Sequence, residues 1–534
     1  MGSYLNQDSI AFENARALFY VDKSECFSIF NQYINSEAKF ICVSRPRRFG
    51  KSRMTSLMNA YYSKGCDSKD LFADLKIAQY PTFEKYLNKF DVIWFDLQNE
   101  IDCYNGDVND IIDVISRNVI KELEVSFDID LANSSLADAL STIYSKFKKQ
   151  FIVIIDEWDA IFREQNHDVE LEKNYIKFLK ALFKGEAKSI KSIALAYITG
   201  ILPIKKYNSQ SALNNFDEYT MLNPGILAPY YGARIPGFTI DETKLLCDKY
   251  GIDLNTAKSW YDGYKIGDYE MLNPKSVISY IKFKKARCYW NNTAAIDAVT
   301  DIVNANYEGL KDDLIELLNG KKIDIVDFDN YNNDLTSIVD KDTAITYLIH
   351  LGYLAYDCEH SNIYIPNKEV RLALINGILK SRQGDLYELL KESRELLSNT
   401  INGDSDKVAA IIEKFHSSAC SSLKYNNEDS LAFVVCYAYF ACNENYLPFI
   451  REFPTGKGFA DIVFIPKEGK WRSNPILVIE LKWDKTAQTA LNQIKERHYP
   501  EYFENSKGNI VLVGINYDKD SKKHTCKIEL LDRS

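Results

Sequence analysis

The segment Ser44-Arg45-Pro46-Arg47-Arg48-Phe49-Gly50-Lys51-Ser52 follows an apolar run at 40–43 and opens a helical pattern at 52–62. A strand, a Gly-Lys-Ser turn and a helix in succession are the context that a phosphate-binding loop requires. Gly50 lets the backbone approach a phosphate closely, Lys51 reaches the β- and γ-phosphates, and the Ser52 hydroxyl is a ligand for Mg²⁺. Arg48 and Phe49 complete the set of nucleotide-contacting positions, and Lys51 is expected to face solvent. Arg45 stands where the first glycine of such a loop is expected, so the turn must begin differently. Together with Arg47 and Arg48 it offers further phosphate contacts or a contact with a partner subunit.

The companion of this loop lies about a hundred residues on, in Ile152-Val153-Ile154-Ile155-Asp156-Glu157. An apolar strand ending in two acids places Asp156 on the Mg²⁺ through water and Glu157 beside the γ-phosphate, where a carboxylate polarises the attacking water. The next apolar run, 193–198, ends in Thr199-Gly200, which makes Thr199 a candidate sensor of the γ-phosphate. A threonine in this place is also an ordinary turn former.

A second cluster stands near the C-terminus. Gly458-Phe459-Ala460-Asp461-Ile462-Val463-Phe464 and Ile476-Leu477-Val478-Ile479-Glu480-Leu481-Lys482-Trp483 both read as strands. Alternate residues share a face, so Glu480 and Lys482 point together, and pairing of the strands brings Asp461 beside them. Asp461 and Glu480 can hold one or two Mg²⁺ against a scissile phosphate, with the Leu481 carbonyl completing the shell, while Lys482 orients the attacking water. Gln493, on the helix that follows, is placed to touch a phosphate or the waters of the metal. The bland alternative is a solvated strand face, but an otherwise continuous apolar strand implies cover on both sides, where two charges are costly without a shared purpose.

Apolar strands at 40–43, 91–97, 151–155 and 193–198 alternate with helical patterns at 52–62, 108–124, 136–149 and 171–183. This is the signature of a parallel sheet covered on both faces. From about residue 238 helix predominates, with polar loops such as 327–333. Within this region 344–351, Gly352-Tyr353-Leu354 and Asn362-Ile363-Tyr364-Ile365-Pro366 suggest a helix leading into a hairpin, a winged-helix-like unit. Asp357, Glu359 and Glu369 make that hairpin a poor phosphate binder, so a packing module is the better expectation. A polar stretch at 402–406 marks a boundary, after which helix, helix, strand pair, helix and strand follow. The division expected is 1–235, 236–400 and 401–534.

The 534 residues exceed what one core supports, and 46% hydrophobic and 26% charged residues describe a folded chain. The 11 cysteines form no C-x-x-C pair and read as reduced core thiols, and no zinc-ligand spacing joins them to the 6 histidines. With no signal-like start and no apolar stretch long enough to span a bilayer, a cytoplasmic protein without a membrane partner is expected. The formal charge of −10 argues against a general polyanion coat. From Arg451 onward, however, there are 15 Lys and Arg against 12 Asp and Glu, so the acidity lies in the preceding part.

These motifs resemble those of proteins in which an AAA-ATPase-like domain precedes a PD-(D/E)XK nuclease-superfamily domain. The likeness also takes in Val21-Asp22-Lys23, Ile198-Thr199-Gly200-Ile201, Trp260-Tyr261-Asp262-Gly263-Tyr264, Asn273-Pro274, Gly352-Tyr353-Leu354, Pro366-Asn367 and Gln493-Ile494. It implies an α/β multidomain chain: an AAA-type P-loop ATPase with a parallel sheet, a helical middle region, and a restriction-endonuclease-like α/β domain. It also implies an early helical glutamate at the metal site, a place that Glu428 fits. The function so implied is ATP binding and hydrolysis joined to metal-dependent cleavage of DNA under ATP control, with ATP and Mg²⁺ as cofactors and Mn²⁺ as a substitute at the nuclease site. The alternatives are a nucleotide-dependent switch or scaffold that binds nucleic acid without cutting it, and an RNA substrate. A homo-oligomer is a further expectation.

Overall fold

The computed structural model describes residues 2–531 except 165–167, 185–187, 224–234, 291–298, 326–339, 382–384, 420–427, 448–449, 455–458, 504–507 and single positions within 205–214, 268, 300–306 and 319. The polar loop expected at 327–333, Gly458 and Asn427 lie outside the described residues. The chain forms two compact units, one of 1–295 with 322–373 and one of 296–321 with 374–534. Residues 236–295 and 322–373 of the middle segment fall in the first unit, and 296–321 and 374–400 in the second.

The first unit is built on a parallel sheet of β1 (Phe40–Ser44), β2 (Asp91–Asp96), β3 (Phe151–Asp156), β4 (Ile193–Gly200) and β5 (Asp217–Tyr219), in the order β2-β3-β4-β1-β5. Alternation divides its side chains between two cores. Cys42, Ile93, Phe95, Val153, Ile155 and Ile198 face the helices Ile111–Phe127, Leu136–Phe147 and Val169–Phe183. Ile41, Val43, Val92, Ile154 and Tyr197 face α1 (Lys51–Tyr62) through Met54, Leu57, Met58 and Tyr61. Because both faces are covered, the strands read as unbroken apolar runs and were legible as such. β5 was not: it has three residues, two of them acidic, and its order comes from pairing with β1.

The rest of this unit explains motifs to which residue chemistry alone assigns no role. The helix Lys341–Leu351 leads into a hairpin, Ala355–Asp357 with Asn362–Tyr364, which Ile323–Asp324 widens to three strands. It packs against the segment around Tyr264. The Tyr264 hydroxyl donates to the Gly352 carbonyl at 3.0 Å, and the Asn367 amide donates to the Asp262 carbonyl at 2.7 Å. Lys265 bridges Asp357 and Glu359 at 2.8 and 2.9 Å. Asp357, Glu359 and His360 lie within metal-ligand reach of one another, but the Lys265 ammonium already supplies the cation.

Gly263 sits at φ +91°, and a Cβ there would come within 2.0 Å of the Pro366 carbonyl oxygen. Gly263→Ala is therefore expected to cost roughly 3 kcal/mol, since strain at positive φ adds to a clash with backbone. Gly251, at φ +62° with nothing within 4 Å, is the control. Its alanine variant should cost about 1 kcal/mol. Urea unfolding midpoints of the two variants check the difference.

The second unit carries a mixed sheet of β6 (Ile450–Pro454), β7 (Phe459–Phe464), β8 (Ile476–Trp483), β9 (Ile510–Asp518) and β10 (Lys523–Leu531) in chain order. Only β8 and β9 run parallel; the other neighbours are antiparallel. The expected strand pair, helix and strand are β7, β8, α4 (Ala487–Glu496) and β9. The edge strands β6 and β10 were not foreseen, because β10 alternates buried and exposed residues in a charged sequence. α3 (Glu428–Ala438) and the helices Asp385–Ile401 and Ser405–Ala419 belong to the same unit. Among the described residues no helix is long and apolar enough to cross a membrane.

Candidate functional site

The first site lies at the C-terminal ends of β1, β3 and β4. Gly50, at φ +97°, caps α1 in a conformation that a side chain would strain, and this turns the loop into the helix. Lys51 is 4% exposed and does not face solvent as expected. Its ammonium lies inside the loop, 3.3 Å from the Arg45 carbonyl, 3.4 Å from the Pro46 carbonyl and 3.3 Å from a Glu157 carboxylate oxygen. The loop thus holds its lysine with the partners that a phosphate would replace.

Arg45 is fully buried, which corrects the expectation of a phosphate or subunit contact. Its guanidinium donates to the carbonyls of Ser44 and Tyr219 at 2.8 and 2.9 Å, closing the ends of β1 and β5, and burial lowers its pKa to about 10. The Arg48 side chain reaches the Tyr289 carbonyl, and the Phe49 ring packs edge-on to Tyr264 at 5.0 Å. The Thr199 hydroxyl donates to the Val43 carbonyl at 2.8 Å, so it stitches β4 to β1.

Asp156 is 1% exposed and accepts from the Thr55 hydroxyl at 3.2 Å, with Ser52 also bonded to it. Burial, then the charges of Glu157 and Asp96, push its pKa up to about 7, against the pull of Ser52 and Lys51. A buried carboxylate in that state suits a divalent cation. Glu157 adopts φ +48° and pairs with both Lys51 and Arg163; burial alone would raise its pKa, but these two cations hold it below the usual range. Asp96, Thr55, Asp159 and Arg163 were all missed. The signal for Asp96 was present, since Ile-Trp-Phe-Asp ends β2 as Ile-Ile-Asp ends β3, and the two aspartates are register partners.

Beside Gly50 opens a cavity of about 460 Å³ lined by Phe19, Tyr20, Met54, Phe238, Ile278 and Phe283, the last two on the helix α2 (Pro274–Phe283). Its aromatic walls and its position next to the loop suit a purine base. Val21-Asp22-Lys23 frames it: the Lys23 ammonium bonds Glu242 at 2.6 Å, while Asp22 accepts from the Lys76 and Ser24 backbone N–H groups at 2.8 Å.

The second site lies where β7 and β8 part. The pairs Phe464↔Leu477, Val463↔Val478 and Ile462↔Ile479 bring Asp461 abreast of Glu480, and its carboxylate accepts from the Leu481 N–H at 2.7 Å. The Lys482 ammonium lies 3.0 Å from Glu480 Oε1 and 2.9 Å from the Leu481 carbonyl, so that carbonyl serves the lysine. Gln493 of α4 donates to Glu480 Oε1. α4 can come this near because Gly514, opposite Glu480 on β9, would otherwise drive a Cβ within 2.4 Å of the Ala487 carbonyl.

Glu480 Oε2 is buried with no hydrogen-bond partner among the described residues. Burial, then the charge of Asp461, push the Glu480 pKa up to about 7, with Lys482 opposing. An orphaned oxygen in a carboxylate pair fits a divalent cation. Glu428 opens α3; its side chain lies outside what is described. Arg497, one turn beyond Gln493, faces both acids and donates to the Tyr499 hydroxyl at 3.3 Å, another residue that sequence reading passed over.

A phosphate-binding loop and a strand-end acid pair on a parallel sheet define a P-loop ATPase-like fold, and the β7–β8 acids with Lys482 on a mixed sheet define a nuclease-superfamily fold. Residues 11–208 match the family model of a predicted AAA-ATPase, and residues 427–526 match that of the PD-(D/E)XK nuclease superfamily, so the chain carries these two domains in this order. An uncharacterized protein in the vnfD 5′ region of Azotobacter chroococcum mcd 1 is 20% identical over 535 residues, 94% of each chain. Among solved structures, the ORC2 protein of Aeropyrum pernix in its ADPNP-ADP complexes is 11% identical, with a TM-score of 0.31 over 71% of this chain and 99% of its own. CDC6P of Pyrobaculum aerophilum is 10% identical, with a TM-score of 0.26 over 71% of this chain and 100% of its own.

Proposed function

We propose that the protein binds and hydrolyses ATP and, under its control, cleaves DNA phosphodiester bonds with a divalent metal. The observation that carries the nuclease half is the meeting of Asp461, Glu480 and Lys482 at one point, with a buried Glu480 oxygen left unpaired. Bound there, Mg²⁺ or Mn²⁺ would supply Lewis acidity toward the scissile phosphate. Asp461 and Glu480 would hold the ion, Gln493 fixes the Glu480 carboxylate, and Lys482 is within reach of an attacking water.

In the other half, Gly50 and the backbone at Arg48 and Phe49 would cradle the phosphates, Ser52 and Asp156 would hold Mg²⁺, and Glu157 would polarise water. Thr199 is left a positioning part through β1. The aromatic cavity beside Gly50 supports a purine nucleotide as the ligand. The less acidic character of the chain beyond Arg451 supports a nucleic-acid partner.

Incubating the purified protein with supercoiled plasmid and Mg²⁺ or Mn²⁺, with and without ATP, tests this reading. Metal-dependent nicking or linearisation that changes with ATP is expected. An intact plasmid under every condition, with DNA still retained in a gel shift, would leave the binding scaffold instead, and an RNA substrate in parallel separates the two nucleic acids.

A further inference from the structure

Arg163 lies outside the loop, the strand-end acids and every motif singled out in the sequence, yet it touches the residue assigned to activate water. It belongs to the short helix Ala160–Glu164, its side chain is 5% exposed, and its guanidinium spans two carboxylates. One terminal nitrogen lies 2.8 Å from Glu157 Oε2, and Nε lies 3.0 Å from Asp159 Oδ2. A planar fork can serve two acceptors in fixed directions, which the single ammonium of lysine cannot do with the same geometry.

The far end of this bridge is anchored. Asp159 is fully buried, and its Oδ2 accepts from the backbone N–H of Ile201 at 3.0 Å and of Leu202 at 2.7 Å, just past the end of β4. Gly200 leaves room for it: a Cβ there would come within 2.4 Å of Asp159 Oδ1. The turn is closed again by the Trp158 N–H, which donates to the Thr199 carbonyl at 3.1 Å. Arg163 is thus tied to the sheet itself, and through it the end of β4 is tied to Glu157.

The near end is shared. Glu157 Oε1 lies 3.3 Å from the Lys51 ammonium, whereas Oε2 belongs to Arg163. Nucleotide phosphates compete for Lys51, which is what a P-loop lysine is for, but they do not compete for Arg163 on the opposite side of the carboxylate. Resting on the ATPase reading above, we propose that Arg163 is the positioning residue of ATP hydrolysis: it holds one oxygen of Glu157 so that the other is presented to water once nucleotide has drawn Lys51 away. A displacement of about 1 Å at such a group is enough to cost about 10²-fold in rate.

Steady-state ATPase kinetics of the full chain with Arg163→Ala, Arg163→Gln and Arg163→Lys, alongside Glu157→Gln, test this. For Arg163→Ala and Arg163→Gln, kcat should fall by about 10²-fold. KM for ATP and the affinity for a fluorescent ATP analogue should stay within about twofold, because the Arg163 guanidinium is directed to Glu157 and Asp159. Arg163→Lys should recover part of kcat. A role in stability alone would lower the melting temperature and leave kcat per folded molecule untouched, and that result overturns the inference. If the alanine variant does not fold, the lysine and glutamine variants answer the same question, since equal kcat in the two also overturns it. A wild-type chain that binds ATP and never turns it over would overturn the ATPase reading and this inference together, whereas a wild-type chain that hydrolyses ATP with Arg163→Gln at its side equally active overturns this inference alone.

Discussion

Lys51→Ala is expected to abolish ATP hydrolysis and weaken ATP binding by at least about tenfold, since the phosphates lose the buried ammonium of the loop. The ammonium is now held by the Arg45 and Pro46 carbonyls and Glu157, so its removal also leaves Glu157 with Arg163 as its remaining ion-pair partner among the contacts described. Glu157→Gln separates the two effects. It keeps the shape of the side chain and should still bind ATP, while turnover falls by about 10²-fold or more through loss of a carboxylate that accepts a proton. Nucleotide affinity measured by calorimetry beside phosphate release would show this. If Lys51→Ala hydrolyses ATP at the wild-type rate, the loop is not a nucleotide site, and if Glu157→Gln loses binding and turnover equally, Glu157 is structural.

What could be read in the sequence followed from burial. Strands covered on both faces must be apolar throughout, so β1 to β4 and β7 to β9 stood out, and acids at their ends stood out by contrast. Asp156, Glu157, Asp461, Glu480 and Lys482 drew notice for that reason, and Gly50 and Lys51 through the Gly-Lys-Ser turn that follows β1. What escaped depends on contacts between distant parts of the chain. Nothing in Ser44-Arg45-Pro46 says that the guanidinium turns inward to the Tyr219 carbonyl, 174 residues away. Nor does a serviceable Thr199 reveal that its hydroxyl is taken by β1. Arg163 was the nearest miss: Asp159 and Arg163 stand four apart at the start of a helix directly after the acid pair, a spacing that puts them on one face. The acids of the hairpin show the same dependence on distant contacts, since Asp357 and Glu359 are bridged by Lys265.

Asp461→Asn should stop metal-dependent cleavage and weaken metal binding while leaving ATP hydrolysis largely intact, because Asp461 and Lys51 belong to separate compact units. Lys482→Ala should likewise stop cleavage, by about 10²-fold or more, but keep both carboxylates and so retain the metal. The pH dependence gives an independent handle. Glu480 titrates near 7 in the fold, raised by burial and by Asp461, against about 4.5 for an ordinary glutamate. Between those values the folded chain holds a proton that the unfolded chain has released, so the contribution of this group to stability is lost as pH rises from about 4.5 through about 7. Mn²⁺ binding must expel that proton, so affinity should climb across the same interval and level off above it, and added metal should restore stability most at the alkaline end. In Asp461→Asn the repulsion is gone, and the rise should move to lower pH, though burial still keeps it above the ordinary carboxylate range. Calorimetric Mn²⁺ titrations between pH 5 and pH 8, on wild type and both variants, would display this as a shift in the rising limb. Undiminished cleavage by Asp461→Asn and Lys482→Ala alike would place the nuclease activity outside the β7–β8 site.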